Sequence, residues 1–273
     1  MSGRVRVLER FGVTGAPLGQ GAEAWVYPFG DGQVLRIPKP RSTRGFDRRT
    51  DLLDRLAEEA RRTGIAIPEV LETGRTDDQP WSIERRILGV EMGQALAQSP
   101  DRTALIAAYM KTAAQVGDLL SGDDFRELWA EPPLSADTGP ALLSALASRS
   151  LTWAGIKSEP APPEGFDGPP ELVHLDYFPG NVMADGVRIT GVLDFGFATI
   201  LADRRLTPLV AAISLRFRSD ATDAELAGAE ALAGAEDVSQ VRRWLAAYWS
   251  FAIRDDPELA RWALPELEGK NAD

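Results

Sequence analysis

The sequence predicts an α+β protein of two lobes, an antiparallel sheet with one helix over residues 1–88 and a mainly helical part over residues 89–273. Three observations carry that reading. Apolar runs of strand length, separated by turn residues, fill the chain up to Leu88. Beyond Gly89 the apolar residues recur at helical spacing. Strand-like runs then return in one place only, ELVHLDYFPGNVMADGVRITGVLDFG, residues 171–196.

Taken in order, residues 4–11 supply a first strand. A glycine-rich turn follows, and then AWVYPF and QVLRI form a hairpin in which Asp31-Gly32 fits a type I′ turn. Phe46, Leu53, Leu56 and Ala60 mark the next helix. Ser42 or Thr43 is its cap, Arg61 and Arg62 lie in its last turn, and Gly64 stops it. IAIPEVLETG and WSIERRIL are two more strands joined by the polar turn RTDDQP, so the first part reads β-β-β-α-β-β. Ser99-Pro100 opens the first helix of the second part, and GPALLSALASRSLTWAGI forms another. EPAPPEGFDGPP, residues 159–170, is a loop by its proline and glycine content. After the short strands come helices at DAELAGAEALAG, VSQVRRWLAAYWSFAIRDD and PELARWALPEL, with no internal repeat.

Composition narrows the function. The chain has no cysteine and one histidine, which excludes disulfides, thiolate metal sites and histidine clusters. No apolar run approaches the ~20 residues of a membrane span, and MSGRVRVLERFG lacks the apolar stretch of a secretory signal, so the expected location is cytoplasmic. A formal net charge of −11 argues against a nucleic-acid partner. That charge is uneven. Up to residue 86 there are 15 Arg and Lys against 13 Asp and Glu, and after it 15 against 28. The acidic surplus reads either as a solvated surface or as a field that draws a cationic small molecule.

In the 171–196 stretch Asp176 leaves one strand, Asn181 begins the next and Asp194 ends a third. Three oxygen-bearing side chains at neighbouring strand ends can meet at one point. A small set of hard oxygen donors suits Mg²⁺ held together with substrate phosphates, and Asp176 can then take a proton from a hydroxyl. Phosphoryl transfer needs this equipment and little more.

His174-x-Asp176 with Asn181, followed by Asp194-Phe195-Gly196, resembles the catalytic and metal-binding loops of eukaryotic-like kinases. The D-x-x-P-G-N form of Asp176, Pro179, Gly180 and Asn181 is similar to the aminoglycoside phosphotransferase (APH) family, which usually carries H-G-D-x-H-P-G-N. In element order the resemblance covers nearly the whole chain. It implies a bilobal protein-kinase-like fold, ATP or GTP as donor with Mg²⁺, Asp176 as catalytic base and Asn181 and Asp194 as metal ligands. It casts His174 as support for the loop. Gly19 and Gly21 of LGQGAEAWVY match a shortened phosphate-binding glycine loop, and Val26 covers the base. Arg36 stands where the family has its phosphate-pairing lysine, Lys39 lying past Pro38 on the other face, and related macrolide kinases carry a similar L-R-I-P segment. The acid expected to pair with Arg36 from the following helix is Asp51, ahead of Asp47 and Asp54. The backbone from Glu84 through Arg86 to Ile87 is expected along the adenine edge.

Departures from the family pattern are Leu175, Tyr177 and Phe178 in the loop, and Thr207 where a second acid is expected after Asp203. The implied acceptor is a hydroxyl of an antibiotic such as an aminoglycoside or macrolide. The alternatives are a metabolic kinase for a choline-like, amino-alcohol or sugar substrate, and a weakly active pseudokinase suggested by Arg36 and Thr207. A protein kinase is excluded because the span from Gly196 to Pro208 is too short for an activation loop. Trp244, Tyr248 and Phe251, with Asp255 and Asp256 beyond them, are either core packing or a wall for a cationic ligand. A monomer or dimer is expected.

Overall fold

A computed structural model describes residues 2–18, 23–120, 140–157, 163–196 and 198–269. The chain divides into two compact units, one of Met1–Leu88 with Gly191–Phe197 and the other of Gly89–Thr190 with Ala198–Asp273.

The first unit opens with a helix, α1 (Gly3–Phe11), where the sequence suggested a strand. Val5 and Val7 alternate with arginines, but Val7, Leu8 and Phe11 share one helical face, and that face seats on the sheet core of Tyr27, Leu35, Ile37, Trp81 and Ile83. Gly12 in the left-handed conformation (φ 62°) ends the helix. The sheet is antiparallel in the order β1-β2-β4-β3, with β1 at Ala24–Phe29, β2 at Gln33–Pro38, β3 at Val70–Thr76 and β4 at Gln79–Arg85. β1 and β2 are joined by residues 30–32, with positive φ at Gly30 and Gly32, in place of the expected two-residue turn. Gly74 lies opposite Trp81, whose indole fills the space a side chain there would need.

Helix α2 (Phe46–Thr63) buries Phe46, Arg49, Leu52, Leu53, Leu56 and Ala60 along one stripe and stops at Gly64 (φ 75°). Its cap position is Gly45, after a 3₁₀ turn at Pro40–Gly45. The expected caps are not used, and the Thr43 hydroxyl donates instead to the Pro40 carbonyl. Gly191–Phe197 joins this unit through the Val192 N–H, which donates to the Ala66 carbonyl at 2.9 Å.

In the second unit β5 (Val90–Glu91), β7 (Val182–Asp185) and β8 (Arg188–Val192, whose last two residues belong to the first unit) form one sheet. β6 (Pro170–His174) pairs antiparallel with β9 (Thr199–Asp203), a buried strand the sequence reading had not marked. The helices are α3 (Met92–Gln98), α4 (Arg102–Gln115), α5 (Pro140–Ala154), α6 (Leu206–Arg218), α7 (Asp223–Ala233), α8 (Ala235–Tyr248) and α9 (Pro257–Leu267). Caps explain several starts: Asp101, and not Ser99, caps α4, Thr222 and Glu225 form a capping box on α7, and Asp256 caps α9.

Candidate active site

Asp176 lies two residues beyond the end of β6. Leu175 N–H still donates to Ala198 O at 2.8 Å, and the chain then turns, with Phe178 N–H on Asp176 O (2.9 Å) and Asn181 N–H on Phe178 O (2.8 Å). Pro179, with its fixed φ, starts the single 3₁₀ turn Pro179–Asn181 that feeds β7. The Asn181 amide donates through Nδ2 to Asp176 O at 3.0 Å. That bond directs the NH₂ into the loop and leaves Oδ1 as the atom the side chain can offer a cation.

His174 is fully buried, and its Nδ1 accepts from Asp176 N–H at 3.2 Å. An accepting Nδ1 carries no proton while that bond stands, so the ring supports the loop. Beneath it the His174 N–H donates to Thr207 Oγ1 at 3.0 Å, both groups buried. Thr207 thus meets a backbone donor with a neutral hydroxyl, which needs no counter-cation. Burial pushes the Asp203 carboxyl up, but Arg205, bonding through backbone and guanidinium, and Gly168 N–H bring it below its ordinary value.

A second group of charges sits in the first unit. Arg36 on β2 is buried, with its Nη2 3.6 Å from a Glu23 carboxylate oxygen and 3.7 Å from Asp194. Its acids therefore come from the residue just before β1 and from the Gly191–Phe197 segment, not from α2. Asp51 and Asp54 are exposed, and Asp47 pairs with Arg75. Helix α2 contributes a cation instead. Arg49 clasps Glu84 of β4 through two bonds of 2.6 and 3.0 Å, and Ser82 adds a third to the same carboxylate at 2.7 Å. Burial alone would raise Glu84, but the Arg49 charge and bonds, Arg36 and Ser82 hold it below its usual value. Glu23 is pushed the other way, by burial and by Asp194, against the pull of Arg36. Asp194 itself has φ 59°, a left-handed conformation rare outside glycine.

Other expected residues fall as follows. Val26 stands opposite Arg36 in the β1–β2 register, and Gly19 and Gly21 lie outside the described residues. Glu84 is locked in the sheet between Val34 and Val70, and the N–H groups of Arg85 and Arg86 are taken by Glu69 O and Gly32 O. Lys39 lies over the Trp25 ring. Trp244 is buried, bonds Leu143 O and stacks on Tyr248 at 5.6 Å, and Asp256 caps α9, so these two aromatics are core, whereas Phe251 and Asp255 beyond the helix are exposed. Sequence reasoning missed Arg49 and Glu23. Arg49 left a signal, as a charge on the apolar stripe of α2 requires a buried partner.

A sequence model of the phosphotransferase enzyme family (APH) matches residues 14–248. The chain belongs to this family. It is therefore a phosphotransferase, and its fold is the protein-kinase-like one that the loop motif implied. Similar solved structures include the GDP and kanamycin complex of APH(2")-IIIa, 17% identical, TM-score 0.61, covering 98% of each chain. The macrolide 2'-phosphotransferase MphH of Brachybacterium faecium, without ligand, is 18% identical at TM-score 0.59, covering 96% of this chain and 95% of that one. APH(3'')-Id of Streptomyces rimosus, with ADP and streptomycin, is 14% identical at TM-score 0.56, covering 91% and 98%. At these identities the likeness is one of fold. No curated protein matches the chain. Among the described residues of this phosphotransferase, no helix is long and apolar enough to cross a membrane.

Proposed function

We propose that the protein transfers the γ-phosphate of ATP or GTP to a hydroxyl of a small molecule, with an antibiotic of the aminoglycoside or macrolide class as the leading acceptor. The observation that carries the reading is the Asp176–Asn181 loop, in which one amide is turned so that its oxygen is available and Asp176 sits on a backbone whose own polar groups are all bonded. Relatives solved with GDP or ADP support a nucleotide donor.

For magnesium the donor chemistry fits. Among the described residues no group of three or more His, Cys, Asp or Glu could cage a metal. An amide oxygen and one carboxylate are what an ion shared with phosphates requires. Asn181 Oδ1 and the Asp194 carboxylate would hold Mg²⁺, which when bound offsets charge on the β- and γ-phosphates. Arg36 supplies the fixed positive charge toward the phosphates, and the backbone from Ile87 onward reads the adenine edge, since the N–H groups of Arg85 and Arg86 are already taken. The Asp176 carboxylate accepts the acceptor's hydroxyl proton as that oxygen bonds to the γ-phosphorus. The bond from phosphorus to the β–γ bridging oxygen breaks, and the nucleoside diphosphate leaves.

The test is ADP or GDP release with Mg²⁺ over a panel of aminoglycosides, macrolides, choline-like amines and sugars, in wild type and Asp176→Asn. Acceptor-dependent release by an antibiotic, reduced ~10²–10⁴-fold in the variant, is the expected result. Release stimulated only by choline-like amines or sugars would replace the antibiotic reading with a metabolic one. Full turnover in Asp176→Asn would remove the base assignment.

A further inference from the structure

Residues 175–177 belong to no strand or helix, yet all of their backbone polar groups are engaged. Leu175 O accepts from the Trp249 indole Nε1 (3.2 Å), and Asp176 N–H is bound to His174 Nδ1. Asp176 O accepts from Asn181 Nδ2 and Phe178 N–H, and Tyr177 N–H donates to His174 O (3.2 Å). Tyr177 O accepts from the Tyr109 hydroxyl at 3.2 Å. The two tyrosines are bonded reciprocally, since Tyr177 OH donates to Tyr109 O at 3.0 Å, and both are fully buried. Ser214 stands nearby, but a hydroxyl has one proton, and its shorter bond runs to Ala211 O on α6 (3.0 Å, against 3.4 Å to Tyr177 O). Tyr109 is therefore the principal donor to that carbonyl. Burial holds both phenols well above their ordinary range, so they stay neutral donors.

Two peptide planes define φ and ψ of Asp176. Trp249 and His174 pin the first, while Asn181 and the His174 carbonyl pin the second. Tyr109 pins the next plane. Three donors reach the loop from separate segments: Tyr109 from α4, Trp249 from the turn after α8, and Asn181 from the mouth of β7. The bonds from Trp249 and Tyr109 are buried, so a carbonyl that loses either donor is left unsatisfied away from water, and each donor restricts where the carboxylate points. We propose that Tyr109 and Trp249 are positioning residues for the transferring base, holding the carbonyls on either side of Asp176. The proposal rests on Asp176 being that base.

The experiment compares wild type, Tyr109→Phe, Trp249→Phe and each change combined with Asp176→Asn, well below their melting temperatures. Tyr109→Phe keeps the ring and deletes only the donor. The expected result is a fall in kcat of about tenfold with the nucleotide KM unchanged, and no further fall when Asp176 is already Asn. Unchanged kcat in both folded single variants, or an equal fall in the Asp176→Asn background, would overturn it. Amide hydrogen exchange supplies a readout independent of turnover. Peptides spanning residues 174–178 should exchange faster in Tyr109→Phe while α4 and α6 keep their protection. Wild type without turnover would defeat the phosphotransfer reading alone, and exchange would still decide the positioning role: unchanged protection at residues 174–178 would end it.

Discussion

Arg49 and Glu84 face each other across the first unit with their polarity opposite to the expected one: the helix supplies the cation and the strand supplies the acid. Both side chains are buried, and the fork-to-carboxylate geometry satisfies most of their bonding capacity, leaving Arg49 Nε without a partner. The sequence reading had looked on α2 for an acid to orient Arg36. With Arg49 there instead, the helix is tied to β4, and Arg36 is balanced by Glu23 and Asp194.

Breaking this clasp on one side should be costly. Arg49→Met or Glu84→Gln strands a buried charge, and each is expected to destabilise by about 3–5 kcal/mol. Arg49→Met combined with Glu84→Gln should cost clearly less than the two single changes summed. Urea melts of the four proteins check this, and strict additivity would show that the groups do not interact. The pH dependence has a defined sign. Glu84's folded value lies below its ordinary 4.5, so its contribution is complete above that value and is lost as pH falls through the lower, folded one. The stability gap between wild type and Glu84→Gln should therefore close on the acid side of pH 4.5.

Glu23 is held differently. At 3.6 Å from Arg36 its contact is long, and burial and Asp194 both disfavour its charge. Arg36 and Arg49 together balance only two of the three carboxylates of Glu23, Glu84 and Asp194. On the proposed role of Arg36, a nucleotide's phosphates approach it in competition with Glu23. Glu23→Gln is expected to tighten Mg-ADP binding by about three- to tenfold, the scale of one partly screened charge near a binding anion. Isothermal titration measures it directly. Weaker binding would instead make Glu23 the acid that orients Arg36.

How much of this was legible depends on how local the signal was. The loop from His174 to Asp194 was readable because three strand ends and a turn are written in consecutive residues. Gly64 announced the end of α2 for the same reason. α1 was misread because nine residues that include Val5, Val7, Leu8 and Phe11 fit both periods, and only the sheet beneath them selects the helix. β9 was missed because TILAD is a short, wholly buried run whose partner, β6, lies far back in the sequence. The Arg36 partners escaped notice likewise: Glu23 and Asp194 meet that arginine only through tertiary structure. The caps moved by a few residues, since Ser99, Asp101, Thr43 and Gly45 all offer locally acceptable starts.

Asp194 allows charge and backbone to be tested apart. Its φ of 59° is tolerated by Asp and Asn, whose short polar side chains bond locally, and disfavoured for other non-glycine residues by roughly 1–2 kcal/mol. Asp194→Asn removes the charge and keeps the tolerance, whereas Asp194→Ala removes both. If Asp194 is a magnesium ligand, both variants should lose turnover or need far more Mg²⁺ for it. Both remove a counter-charge of Arg36, but the alanine variant should be less stable than the asparagine variant by about 1 kcal/mol in urea melts. Asn181→Ala should share the Mg²⁺ requirement, with a stability loss of its own from the bond its amide makes to the Asp176 carbonyl. An unchanged Mg²⁺ titration in Asp194→Asn would show that the carboxylate serves Arg36 alone. Equal stability of the asparagine and alanine variants would show that the left-handed backbone carries no strain.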